Sequence, residues 1–62
     1  MSLHQTYELY LTDRNGSTHF EALTCAPGER VRDVATRLLG ERGVAEIEVR
    51  RLGEHQFTVR TN

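Results

Sequence analysis

The chain has no lysine and no tryptophan, and it has only one cysteine and one proline. A lone cysteine forms no internal disulfide, and no Cys/His pair has zinc-ligand spacing, so covalent and metallic staples are both excluded. All eight cations are arginines, set against nine acidic residues, for a net charge of −1. No strong positive field therefore draws in nucleic acid from a distance. The missing lysine is what GC-rich, bacterial-like codon usage produces. No apolar run approaches the length of a membrane span or a signal peptide, so a soluble, cytoplasmic protein is expected. With 62 residues the chain is one domain near the lower size limit for unaided folding. A core of that size supplies roughly 3–5 kcal/mol of net stability, which makes a second copy of the chain a useful supplement.

The most informative stretch runs from Pro27 to Val44, PGERVRDVATRLLGERGV. Val31, Val34, Ala35, Leu38 and Leu39 recur at helical period and form one apolar stripe, with Arg30, Arg32, Asp33, Thr36, Arg37 and Glu41 opposite. A lone helix of this length is marginal in water, so the rest of the chain must cover its stripe. Its start has two readings: Gly28 as a weak cap, or Pro27 in the first turn. Its end is marked by Gly43 in the left-handed position, with Val44 then able to touch Leu39.

Upstream, Thr6–Thr12 alternates, placing Tyr7, Leu9 and Leu11 on one face of a strand and Glu8, Tyr10 and Thr12 on the other. Asn15-Gly16 is a strong two-residue hairpin signal. That turn places Leu11 opposite Phe20 and Leu9 opposite Ala22, whereas a slip of one residue opposes the leucines to His19 and Glu21. The second strand then runs to about Thr24. Downstream, Ala45–Leu52 and Gln56–Thr61 form a second hairpin, with Ile47, Val49, Phe57 and Val59 sharing a face. A two-residue turn at Gly53-Glu54 breaks that match, so an odd-length loop or a bulge near Arg51 and Leu52 is expected. The elements give an α+β fold, ββαββ, with one helix packed across one face of a four-stranded sheet over residues 5–61. Residues 1–4 form an N-terminal tail whose opening Met1-Ser2-Leu3 reads equally well as an expression remnant.

PGERVRDVATRLL resembles the helix entry of ubiquitin-like β-grasp domains, including the small sulfur carriers, where a Pro/Gly loop precedes a Thr-Val-x-Asp-Val/Leu opening. Arg30 stands here where that threonine cap usually stands. The TYELYL opening and the FTVRT ending resemble the protein G-like branch of the same fold. The resemblance implies a sheet with strands one and four as a parallel central pair and strands two and three at the edges. It implies no activity, because the Gly-Gly tail of the carriers and the exposed tryptophan of protein G have no counterpart here.

No catalytic constellation is evident, so the chain is expected to be non-enzymatic, with no cofactor, metal or small-molecule substrate. Cys25, close before the helix, is the candidate reactive thiol, with a redox or carrier role as the sharp reading and a small buried residue as the plain one. His4, His19 and His55 fall in a tail, an outward strand position and a turn. His19 and Glu21 need further ligands to hold a metal, and Asp33 and Arg37 are spaced as a surface pair. The sheet face away from the helix is expected to carry Tyr10, Glu21, Leu23, Glu48, Arg50, Thr58 and Arg60. Of these, Tyr10, Leu23, Arg50 and Arg60 form the candidate interaction surface, since Tyr and Arg are enriched where proteins meet. The expected partner is a second copy, giving a dimer through this face or an edge strand, or else another protein. A nucleic-acid platform of Tyr10, Arg50, Arg51 and Arg60 is the alternative, and Glu8, Glu21, Glu46 and Glu48 oppose it.

Overall fold

The computed structural model describes residues 3–61; Met1 and Ser2 of the expected tail, and Asn62, lie outside the described residues. The chain forms β1 (Gln5–Thr12), β2 (Thr18–Cys25), α1 (Val31–Arg42), β3 (Glu46–Arg51) and β4 (Glu54–Arg60). The α+β class and the ββαββ order are as the sequence implies. The strand order is not that of the β-grasp resemblance. The sheet runs β2-β1-β3-β4, with β1 and β3 as an antiparallel central pair and β2 and β4 at the edges. Strands β2 and β3 are both antiparallel to β1, hence parallel to each other, and α1 is the crossover between them.

The central pair builds the core. Leu9 lies opposite Val49 and Leu11 opposite Ile47, and these four side chains are fully buried. Ala35 and Leu39 descend on them from the helix, with Val44 beside them and Tyr7, Leu23, Val31, Leu38, Phe57 and Val59 packed around the rim.

The first turn differs from the two-residue loop that Asn15-Gly16 suggests. Asp13 Oδ1 accepts the N–H groups of Asn15 (2.9 Å) and Ser17 (3.0 Å), and the Asp13 carbonyl accepts the Gly16 N–H (3.0 Å). This is a type I turn followed by Gly16 at φ 89°, which makes the loop one residue longer. The hairpin therefore takes the register shifted by one: Leu9 faces Glu21, Leu11 faces His19 and Tyr10 faces Phe20. The other strands keep their expected faces, but β2 turns over, sending Phe20 and Ala22 to the open face and Glu21 and Leu23 to the helix side.

Neither reading of the helix start holds. Ala26-Pro27-Gly28-Glu29 is a turn in which the Ala26 carbonyl accepts the Glu29 N–H (3.0 Å) and Gly28 takes φ 91°. Proline first and a positive-φ glycine second is the type II pattern. The Glu29 carboxylate reaches back to the Ala26 N–H (2.7 Å), closing the loop on itself. The helix begins after it, with Arg30 as an N-cap that makes no side-chain bond. At the other end Gly43 is left-handed at φ 64° and Val44 is buried, as the sequence implies.

The second hairpin closes through Leu52 and Gly53, at φ 53° and 81°. Both residues of a type I′ turn need positive φ, which is unfavourable for leucine. The Glu8 carboxylate holds the turn by accepting the N–H groups of Leu52 (3.1 Å) and Gly53 (3.0 Å). The expected bulge is present on the opposite strand: Arg50 faces His55 and Val49 faces Phe57, leaving Gln56 as the extra residue of β4. That extra residue puts Phe57 and Val59 over the core. Leu52→Asn supplies the residue this turn prefers and is expected to raise unfolding stability by about 1 kcal/mol, measured by chemical denaturation.

Candidate interaction surface

The sheet face away from the helix carries two chemically different halves. On β1 and β2, Phe20 remains 53% exposed and its ring meets Tyr10 at 5.6 Å between centroids, tilted by 59°. Thr6 bonds Thr24 (3.0 Å) and Thr12 bonds Thr18 (2.8 Å), so the aromatic pair lies between two threonine pairs. The Arg50 guanidinium lies over the other side of Tyr10, 5.3 Å from the ring centre. On β3 and β4 the charges are matched. Glu48 accepts from Arg50 Nε (2.9 Å) and contacts His55 Nδ1 (3.0 Å), and Glu46 accepts from Arg60 Nε (3.1 Å). These partners, His55 first and Arg50 second, hold the Glu48 carboxyl below its ordinary value, and Glu48 raises Arg50 in turn.

Tyr10, Arg50 and Arg60 therefore occupy the face expected of them, while Leu23 does not: the shifted register packs it against the core. Glu21 is displaced with it, onto the helix side. There Arg42, in the last turn of α1, grips both Glu21 oxygens, Nη2 meeting Oε1 at 2.8 Å and Nη1 meeting Oε2. His19 Nε2 stands 3.2 Å from the same carboxylate. Arg42 foremost lowers the Glu21 pKa, with His19 adding to it. His19 is thus on the helix side, and His55 lies within β4 rather than in the turn. Arg51, by the alternation of β3, leaves the open face, so the nucleic-acid platform loses one of its three arginines and the other two are already paired with carboxylates. Thr18, Phe20, Ala22 and Thr24 are the open-face residues of β2 that sequence reasoning missed. Asp13 at the first position of a turn, with Gly16 three residues on, was the signal for the register that puts them there.

Cys25 does not have the surroundings of an activated thiol. It is 4% exposed and lies six residues before the first helical residue, with the Ala26–Glu29 turn between. Burial pushes its pKa up, and the Glu29 carboxylate pushes it further the same way. A cleft of about 180 Å³ is lined by Leu3, Gln5, Tyr7, Cys25 and the 26–29 turn, and its one carboxylate, Glu29, is held by the Ala26 N–H. Among the described residues no three His, Cys, Asp or Glu side chains converge as a metal site. Arg37 pairs with Glu41 (3.9 Å), one turn further along the helix, instead of with Asp33. No helix among the described residues is long and apolar enough to cross a membrane.

No protein-family model matches this chain, and no significant similarity was found to any curated protein or to any solved structure.

Two outcomes follow from the ionisable groups. Cys25 in the folded protein should react with iodoacetamide at neutral pH far more slowly than in urea; equal rates would contradict its burial. Glu21 and Glu48 have folded pKa values below the ordinary 4.5, so their stabilisation is present above that value and lost as pH falls through the folded pKa. Thermal melts from pH 7 to pH 2.5 should show falling stability on the acid side, with a shallower fall in Glu21→Gln.

Proposed function

We propose that this chain is a small, non-enzymatic protein-interaction module that associates with a second copy of itself. The observation that carries this reading is Phe20, half exposed beside Tyr10 and Arg50 on the sheet face that no helix covers. Phe, Tyr and Arg are enriched at interface centres, and here Phe20 and Arg50 both lie against Tyr10, from β2 and from β3. The small core favours the same conclusion, since burial against a second copy adds stability that a chain of 62 residues has trouble supplying alone. The unpaired Cys25 suits a reducing, cytoplasmic setting.

Light scattering after gel filtration, run from high to low micromolar protein, tests the proposal. The expected mass is twice the 7.1 kDa of one chain, falling toward one chain on dilution. Tyr10→Ala is expected to shift the transition to at least tenfold higher concentration while leaving the circular dichroism unchanged. One-chain mass throughout would sink the proposal.

A further inference from the structure

The two edges of the sheet are not equally protected. Edge strands are normally blunted by bulges, prolines or charges that discourage pairing with another chain. Strand β4 has such guards: the extra residue Gln56 interrupts its ladder, and Glu54 and Arg60 stand near its ends. Strand β2 is eight residues of THFEALTC, without proline, glycine, lysine or arginine, and it pairs with β1 without a register shift. Its one inward-pointing carboxylate, Glu21, is neutralised by Arg42. A charge so compensated no longer guards an edge.

The backbone phase of β2 defines what this edge offers. The hairpin closes with the Asp13 N–H donating to the Ser17 carbonyl at 2.8 Å. Hydrogen bonding alternates along an antiparallel pair, so His19, Glu21, Leu23 and Cys25 bond inward to β1. Thr18, Phe20, Ala22 and Thr24 therefore present their N–H and C=O groups outward. The close hydroxyl contacts Thr12–Thr18 and Thr6–Thr24 agree, since side chains approach most in the pairs that exchange no backbone bonds.

We infer that β2 pairs antiparallel with β2 of a second copy, joining two four-stranded sheets into one continuous sheet. The inference rests on the self-association proposed above and assigns its surface. Outward groups must meet outward groups, so even-numbered residues oppose even-numbered ones. That phase requires a two-fold axis perpendicular to the sheet, which puts both helices on the same side. Centring the pair on Glu21 opposes two carboxylates. Centring it on Ala22 sets His19 against Cys25 and Glu21 against Leu23, and centring it on Leu23 leaves Phe20 outside the pairing. Centring it on Phe20 sets His19 of each copy against Glu21 of the other and brings the two Phe20 rings together. Cross-strand aromatic pairs and opposite charges are both favourable, so the structure assigns this register. On the open face it produces one aromatic row, Tyr10–Phe20 of one copy continuing into Phe20–Tyr10 of the other.

Ala22→Pro tests the edge. It removes an outward N–H that β1 does not use, a placement in which edge strands tolerate proline. The expected result is one-chain mass where the parent has two-chain mass, with an unchanged dichroism spectrum. A variant that dimerises as tightly as the parent overturns edge pairing but leaves self-association standing, and a parent that never exceeds one-chain mass overturns both. The register is read in a Cys25→Ser background, which also decides the matter if Ala22→Pro fails to fold. Thr18→Cys chains mixed with Ala22→Cys chains are expected to cross-link as a heterodimer under mild oxidation, because residues 18 and 22 oppose each other only in the register centred on Phe20. Ala22→Cys alone is expected to give no cross-link. Cross-linking of Ala22→Cys with itself, or no cross-link in either sample while a dimer persists, overturns the assignment.

Discussion

The antiparallel pairing of β1 with β3 is the constraint from which the rest of this fold follows. It sets Leu9 and Leu11 directly against Val49 and Ile47, and no other side chains in the described chain are both as large and as thoroughly buried. Once β3 lies beside β1, the helix must carry the chain from the end of β2 over β1 to the start of β3, and twelve helical residues, spanning about 18 Å, suffice for that return. The crossover brings Ala35 and Leu39 down on the four central residues. Cα pairing of β1 with β4, as in the β-grasp arrangement, would instead remove Ile47 and Val49 from the centre and expose them on an edge.

The ends of α1 are tied to opposite edges of the sheet. In the first turn the Arg32 guanidinium lies 4.3 Å from the centre of the Phe57 ring on β4, and in the last turn Arg42 grips Glu21 on β2. Both contacts lie near the surface, where ion pairs and cation–π contacts add little to stability. Their significance is orientational. A helix packed on a twisted sheet by apolar contacts alone can rotate at small cost, and two directional contacts at its ends fix its azimuth. Arginine suits both roles because its planar guanidinium stacks on a ring at one end and forms a two-point contact with a carboxylate at the other. Arg42 also sits where a cation complements the helix dipole.

Sequence patterning was a good guide wherever burial alone decided the outcome, and a poor one where a single polar contact did. The alternation of β1 and β3, the helical stripe, the Gly43 stop and the need for a bulge in the second hairpin all follow from the demand that apolar residues reach one core. Strand β2 escapes that logic because it is an edge. Only Leu23 and Cys25 need to turn inward there, and Glu21 can take an inward position because Arg42 is within reach. With little apolar penalty on either register, the Asp13 side chain and its hydrogen bonds to Asn15 and Ser17 become decisive, and β2 turns over. The misplaced residues of the interaction surface, Leu23 inside and Phe20 outside, are one error carried along one strand. Strand order was illegible for a different reason: every strand has an apolar face, and periodicity states which face is buried but not which neighbour lies alongside.

The overturned register also explains why the open face is uneven. Were β2 in the register that Asn15-Gly16 suggests, His19 and Glu21 would stand on the open face and bring charge to it. The turn built on Asp13 sends them to the helix side and leaves Thr18, Phe20, Ala22 and Thr24 in their place. The β3–β4 half, by contrast, keeps Glu46, Glu48, Arg50, His55 and Arg60, each already engaged with another of the group. Charged groups that have found partners gain little from a second molecule and lose hydration when covered, whereas an exposed ring loses only contact with water. The energetically inexpensive part of this face to cover is therefore the part nearest β2, and the backbone groups without protein partners lie along the same strand. One carboxylate at the start of the first turn places the exposed ring and the open edge side by side.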